Sequence, residues 1–129
     1  MTKKINDQTV FPVFRHDYRF AIQTITGIII LKCEDVLLFE YIRATRKWQL
    51  KLINDRFHNL RSAVSSDDIT SVSPLFIQIN QYCIVNLMHL LGIENKTLKC
   101  LFDVSDEMDI EKKVSPLYYK KIKETLDIL

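Results

Sequence analysis

Positively charged side chains are concentrated between Arg43 and Arg61, a stretch in which Asp55 is the only carboxylate. The cations of this basic stretch are Arg43, Arg46, Lys47, Lys51, Arg56 and Arg61. Clustered cations attract a polyanion by releasing its counterions, so the affinity of such a complex falls steeply with salt. The exposed faces of hairpins carry the same residue types to prevent edge association. Charge alone therefore leaves a polyanion-binding surface and a solvated hairpin face equally open.

The residue patterns of common catalytic sites do not occur in this sequence. A phosphate-binding loop needs clustered glycines, whereas Gly27 and Gly92 lie far apart. Zinc sites on helices pair two histidines at i, i+4 spacing, but His16, His58 and His89 occur singly. The sequence therefore predicts no enzyme, no cofactor and no small-molecule substrate, and it places the histidines at the surface or in packing.

The cysteines and the acidic residues do not form a metal-binding pattern either. Cys33, Cys83 and Cys100 lie far apart and make no C-x-x-C pair, so we expect reduced, packed thiols. The carboxylates of the segment 103–111 lack the glycine that a calcium loop needs at its sharp turn. This segment is predicted to be a solvated hairpin tip, and no metal site is expected.

Composition and length indicate one globular domain. The chain has 129 residues, of which 47% are hydrophobic and 26% are charged, which is typical of a folded protein. Its formal net charge of +2 is too small to identify a partner. No apolar run reaches the roughly 20 residues of a membrane helix, and the polar start lacks the apolar core of a signal peptide. We therefore expect a cytoplasmic protein.

Short strands dominate the predicted secondary structure. Residues 1–17 are polar and mixed, so we expect an N-terminal arm followed by one domain at 18–129. Residues 47–52 alternate between apolar and polar side chains, which is typical of a half-buried strand. Asn54 and Asp55 favour a hairpin turn because both tolerate positive φ. The predicted strands are 28–31, 37–42, 47–52, 56–60, 76–79, 82–85, 90–93 and 98–102.

Two helices are predicted from their N-terminal signals. Ser65 precedes two acidic residues, which favours a short middle helix that ends near Pro74. Ser115 and Pro116 are typical of the cap and first residue of a helix. The apolar face of this C-terminal helix is predicted to contain Tyr118, Ile122, Leu126 and Leu129. The fold class that follows is mainly β, with a short middle helix and a C-terminal helix.

Three segments resemble the LytTR family of DNA-binding domains, in order and with the family's spacing. They are 29–52 (IILKCEDVLLFEYIRATRKWQLKL), 75–87 (LFIQINQYCIVNL) and 114–122 (VSPLYYKKI). Together they extend the resemblance over about residues 20–126. It implies an elongated arrangement of small antiparallel sheets that inserts loops, rather than a recognition helix, into successive major grooves of DNA.

The resemblance also implies three DNA-contacting regions. The first is the loop that carries Arg43, Thr45, Arg46 and Lys47, where an arginine that pairs with guanine adds about 1–3 kcal/mol of discrimination. The second region consists of Asn80, Gln81 and Tyr82. The third consists of Ser115 at the cap of the last helix, followed by Lys120 and Lys121, which are expected to contact the DNA backbone.

The chain departs from the family at two of these regions. Asn80 and Gln81 stand where many members have His-Arg, and amides either pair with adenine or stabilise the loop. Pro116 and Leu117 stand where members usually have arginine. The resemblance implies a transcriptional regulator bound as two protomers to direct repeats in promoter DNA. Family members usually carry a receiver domain ahead of this one, and the short, polar arm at residues 1–17 cannot be such a domain, so we expect a regulator without a receiver domain. The alternative is a protein-interaction module that has kept the fold and lost base reading.

Overall fold

The computed structural model describes residues 18–105, 108 and 110–129. The predicted arm at residues 1–17 lies outside this range, as do Asp106, Glu107 and Asp109 of the acidic segment. The elements of the described residues are β1 Arg19–Thr24, β2 Gly27–Lys32, β3 Val36–Ile42, β4 Lys47–Leu52, β5 Phe57–Asn59, α1 Ser66–Val72, β6 Phe76–Asn80, β7 Cys83–Asn86, β8 Leu90–Ile93, β9 Cys100–Phe102 and α2 Pro116–Thr125.

The strands form three small antiparallel sheets. β1 and β2 make a two-stranded ribbon, β8 and β9 make a second, and the central sheet has the order β5-β4-β3-β7-β6. β3 pairs with both β4 and β7, so it is the centre of the fold. No helix of the described residues is long and apolar enough to cross a membrane.

The central sheet has a hydrophobic cluster on each face. One cluster joins Phe39, Trp48 and Phe76 to the β1–β2 ribbon and α1. The other joins Leu38 and Val85 to β9, the segment before α2, and α2 itself. Because both faces are covered, the first residues of β3 are apolar without alternation. Phe39 is 2% exposed and lies in the first of these clusters.

Asn86 is a fully buried polar side chain at the end of β7. Its amide nitrogen donates to the carbonyl oxygens of Cys33 (2.9 Å) and Val36 (2.8 Å), and its amide oxygen accepts from the Met88 N–H (3.1 Å). A buried amide needs such partners because water cannot replace them. Asn86 therefore fixes the turn after β7 against the connection between β2 and β3.

Both predicted helix starts are confirmed. The Ser65 hydroxyl accepts from the Asp68 N–H (3.1 Å) while the Asp68 carboxylate accepts from the Ser65 N–H (2.8 Å), which is a capping box. These hydrogen bonds lower the pKa of Asp68. Ser115 caps α2 and Pro116 is its first residue. The prediction for Leu129 is wrong: α2 ends at Thr125, and the Leu129 side chain is fully exposed.

The strand predictions differ from the structure mainly at the edges. β1 was not among the predicted strands, although Phe20 and Ile22 alternate with polar or small residues. β5 and β9 are three residues long and shorter than predicted. All three cysteines are buried and free of disulfides, as expected. Their packing inside the two clusters explains why they are spaced without a pattern.

Candidate nucleic-acid interface

Two turns of the central sheet lie side by side at one of its ends. The turn at residues 43–46 connects β3 to β4, and Gln81 and Tyr82 connect β6 to β7. Glu40 of β3 is opposite Cys83, the first residue of β7, so the two turns are neighbours. The Tyr41 N–H donates to the Tyr82 carbonyl at 2.8 Å and joins them directly. We call this end of the sheet the turn end.

Aromatic rings pack against one another next to the turns. The rings of Tyr41 and Tyr82 stack with centroids 6.0 Å apart, and Trp48 meets Tyr41 edge-on at 5.5 Å. The Arg43 guanidinium lies 5.0 Å from the centroid of the Tyr82 ring, which is a cation–π contact between the two turns. Arg43 and Tyr82, predicted in separate regions, thus form one unit.

The turn after β3 exposes its cations and uses its other polar groups internally. The Arg46 N–H donates to the Ile42 carbonyl at 2.8 Å, and the Thr45 hydroxyl donates to the same carbonyl at 3.3 Å. Arg46 has a φ of 57°, in the left-handed region, which is uncommon for a residue with a side chain. Arg46 and Lys47 are exposed and form no ion pair with any described residue.

The two amides of the second region have different roles. The Asn80 amide nitrogen donates to the Lys113 carbonyl at 2.8 Å, and its oxygen accepts from the Tyr82 N–H at 2.8 Å. Asn80 therefore stabilises the loop, which is one of the two roles left open for it. Gln81 is exposed at the tip of the turn, and its side chain is free to meet a ligand.

The segment before α2 is held against the turn end. The Ser115 N–H donates to the Ile79 carbonyl at 2.9 Å, and Lys113 pairs with Lys99 on the other side. Lys112 forms an ion pair with Glu40 at 2.6 Å, whereas Lys113 is exposed and has no acidic partner among the described residues. Sequence reasoning missed Lys113, although the pair of lysines just before the helix cap was a visible signal.

Lys120 and Lys121 lie on α2, beyond its cap residue Ser115. Both are exposed on α2 at least one helical turn beyond its cap, while Ile122 of the same helix is buried. The Lys121 ammonium lies 5.1 Å from the centroid of the Tyr118 ring. The structure thus brings Ser115 to the turn end and leaves these two lysines on the outer face of α2.

The basic stretch of the sequence is divided between the two ends of the sheet. Lys51 and Arg56 flank the connection between β4 and β5, at the end opposite the turns, where Lys51 pairs with Asp55 at 3.1 Å. Arg61 returns to the turn end, because the Leu60 N–H donates to the carbonyl of Trp48 at 2.9 Å. Charge adjacent in sequence is therefore not one continuous surface.

The buried groups beneath the turn end are not suited to catalysis. Burial raises the pKa of the Cys83 thiol to about 12, so the thiol stays protonated at neutral pH. Among the residues that the structure describes, no three His, Cys, Asp or Glu side chains come together as a metal site. At the opposite end of the sheet, the two ring nitrogens of His89 contact the Asp103 carboxylate at 2.9 Å and the Glu34 carbonyl at 2.5 Å.

The fold is similar to that of a solved DNA-binding domain. That structure is the LytTr DNA-binding domain of a protein from Bacillus cereus described as a methyl-accepting/DNA response regulator. The two chains align with a TM-score of 0.65 and 18% sequence identity, over 85% of this chain and 97% of that chain. No family model and no curated protein matches the sequence. This chain therefore has a LytTR-type fold, as the resemblance implied.

Proposed function

We propose that this chain is a sequence-specific, DNA-binding transcriptional regulator whose turn end enters the major groove. One observation carries the proposal: the three segments singled out in the sequence meet at one end of a LytTR-type fold and expose Arg46, Lys47 and Gln81 there, next to the exposed Lys113. The similar structure from Bacillus cereus is described as a DNA-binding domain. A groove lined by phosphates attracts cations, and exposed amides and guanidinium groups read base edges.

We assign base reading to Arg46 and Gln81. Arginine pairs with the O6 and N7 atoms of guanine, and glutamine pairs with the N6 and N7 atoms of adenine. Arg46 is the exposed cation at the tip of its turn, and the Gln81 amide has no partner among the described residues. Asn80 is a positioning residue in this assignment, because both ends of its amide are already bonded.

The remaining cations of the turn end contribute affinity. Lys47 and Lys113 are exposed on the two sides of the turns, where phosphates flank a groove. Arg43 is held over Tyr82 and contributes charge from a fixed position, with Thr45 shaping its turn. Ser115 caps α2 beside the positive end of the helix, and Lys120 and Lys121 reach a neighbouring stretch of backbone.

The proposal extends to the DNA target and to assembly. We propose that two protomers occupy direct repeats in promoter DNA, in the cytoplasm, and that the chain has no catalytic role. The competing function is a protein-interaction module with the same fold, which is favoured by the loss of arginine at Pro116 and Leu117.

Selection of bound duplexes from a random pool tests the function directly. We expect one enriched sequence, bound in gel-shift titration with an affinity that falls as salt rises. Arg46→Ala should reduce the preference for this sequence by about 1–3 kcal/mol. The matched control is Arg56→Ala, which removes an exposed arginine from the opposite end of the sheet. Equal and negligible binding to every duplex would refute DNA binding and favour the interaction module.

A further inference from the structure

A cleft lies between the tip of the β1–β2 ribbon and strand β5. Its volume is about 350 Å³, and its walls include Thr24, Thr26, Lys47, Asn59 and Arg61. Two of these residues carry a positive charge, and no aspartate or glutamate among the described residues lines the cleft. We call it the ribbon cleft.

The ribbon cleft adjoins the turn end. Lys47 is the first residue of β4 and follows Arg46 directly, so this residue of the cleft wall is adjacent to the turn. The hydrogen bond from the Leu60 N–H to the carbonyl of Trp48 holds the following residue, Arg61, on the same side of the sheet. A ligand in the cleft therefore lies next to any ligand that contacts the turn at residues 43–46.

Besides its two cations, the cleft contains neutral polar groups, and the apolar side chains of Ile25, Ile29, Phe57 and Leu60 also line it. Gln49 donates to the Asn59 amide oxygen at 3.1 Å, and the Asn59 NH₂ group has no acceptor among the described residues. The Thr24 hydroxyl is engaged within the ribbon turn, where it contacts the Gly27 carbonyl at 3.2 Å and the Thr26 hydroxyl at 3.1 Å. Two cations together with neutral donors match the chemistry of an anionic oxygen ligand such as a phosphate.

Arg61 is available for this role even though an acidic residue is near it. Its charge helps to lower the pKa of Asp68, after the larger effect of the hydrogen bonds from Ser65. The Asp68 carboxylate already accepts from the Ser65 N–H at 2.8 Å, and it forms no ion pair with Arg61 within the described residues. The guanidinium group therefore keeps its donors.

We infer that the ribbon cleft binds a backbone phosphate of the duplex read by the turn end. This inference rests on the proposed function and adds a contact site to it. A major groove is about 12 Å wide and is flanked by phosphates on both sides. A turn that enters the groove through Arg46 places Lys47 and the adjoining cleft at one of these flanks. The ribbon tip and Arg61 lie outside the three segments that resemble a known family, so the cleft extends the footprint beyond those segments.

Salt titration of Arg61→Gln tests the cleft, with Arg56→Gln as the matched control. The logarithm of the affinity falls linearly with the logarithm of the salt concentration, and loss of one phosphate contact makes this slope less steep by about 0.9. We expect this change for Arg61→Gln on every duplex, an unchanged slope for Arg56→Gln, and retained sequence preference in both. Equal slopes for the two variants would overturn the phosphate site while leaving the proposed function intact. Failure of the parent protein to bind any duplex would overturn both.

A modified duplex tests the contact from the side of the DNA, because it removes the charge of one phosphate at a time. Neutral methylphosphonate is placed at each flanking phosphate of the selected duplex in turn. We expect one position at which the parent protein loses affinity while Arg61→Gln does not, because the contact is already absent from the variant. If parent and variant lose the same affinity at every position, Arg61 contacts no phosphate and the inference is wrong.

Discussion

The two ends of the central sheet use charged and polar side chains differently. At the opposite end from the turns, Lys51 is paired with Asp55, His89 contacts Asp103, and Asn86 is buried with all of its partners. At the turn end, Arg46 and Lys47 are exposed and unpaired among the described residues. The named groups of the opposite end are bonded within the fold, whereas these two cations of the turn end are available to a ligand.

This difference separates stability from binding. Polar groups that are bonded inside the fold contribute to the free energy of unfolding, because their loss leaves buried partners without hydrogen bonds. Exposed cations contribute little to stability, and surface substitutions usually change it by no more than about 0.5 kcal/mol. Variants at the opposite end should therefore affect folding, whereas variants at the turn end should affect binding to DNA.

The largest effect is expected from Asn86→Ala. It removes three hydrogen bonds and leaves the carbonyls of Cys33 and Val36 without this donor. Each unsatisfied buried group costs about 1–3 kcal/mol, so we expect a loss of about 3 kcal/mol in the free energy of unfolding, measured by urea denaturation. Asn80→Ala is the control at the turn end. It should cost about 1 kcal/mol, because water reaches its partners. Equal losses would contradict the comparison.

A second prediction concerns the access of water to buried cysteines, beneath the turn end and at the opposite end. Burial raises the pKa of Cys83 to about 12 and that of Cys100 to about 11, from an ordinary value of 9.0, and it raises the pKa of Cys33 as well. A raised pKa favours the neutral thiol in the folded state. The stability that this provides is therefore complete below pH 9 and decreases as pH rises toward the folded pKa values.

The size of this decrease is measurable. Each thiol that ionises only in the unfolded state costs about 1.4 kcal/mol per pH unit above its unfolded pKa. Urea midpoints should therefore fall as pH rises above about 9, and Cys83→Ala should reduce the fall. A thiol reagent should label none of the three cysteines before unfolding, since all are buried. Rapid labelling of Cys83 in the folded protein would show that water penetrates below the turn end.

The sequence predicted local structure well where side chains alone determine it. Strand β4 has the predicted bounds because its alternation reflects one buried face. The caps at Ser65 and Ser115 were found because a hydroxyl oxygen meets the backbone within three residues. The short strands β5 and β9 were predicted too long, because their length depends on pairing with neighbours elsewhere in the chain.

The site was predicted less completely because it is built from long-range contacts. Sequence spacing grouped Lys51 and Arg56 with Arg46, but the hairpin carries them to the other end of the sheet. The roles of Asn80 and Lys113 depend on a hydrogen bond between residues 33 positions apart in the chain. No local sequence pattern predicts such a long-range hydrogen bond. Only the register of the strands shows which exposed groups face the same ligand.

The smallest effect is expected from a pair of lysines on one strand, Lys47 at the turn end and Lys51 toward the opposite end. Lys51 is 32% exposed and pairs with Asp55, which is 62% exposed, and exposed ion pairs contribute about 0–1 kcal/mol. Lys51→Ala should therefore lower the free energy of unfolding by less than about 1 kcal/mol and leave DNA affinity unchanged.

Lys47→Ala should show the reverse pattern, because its ammonium group has no acidic partner among the described residues to lose. Its stability should stay within about 0.5 kcal/mol of the parent, while the salt slope of DNA binding falls by about 0.9. Both lysines lie on the same strand and carry the same charge, so composition cannot explain a difference between them. If the two variants bind DNA with the same salt slope, position along the strand does not decide which cation meets the duplex.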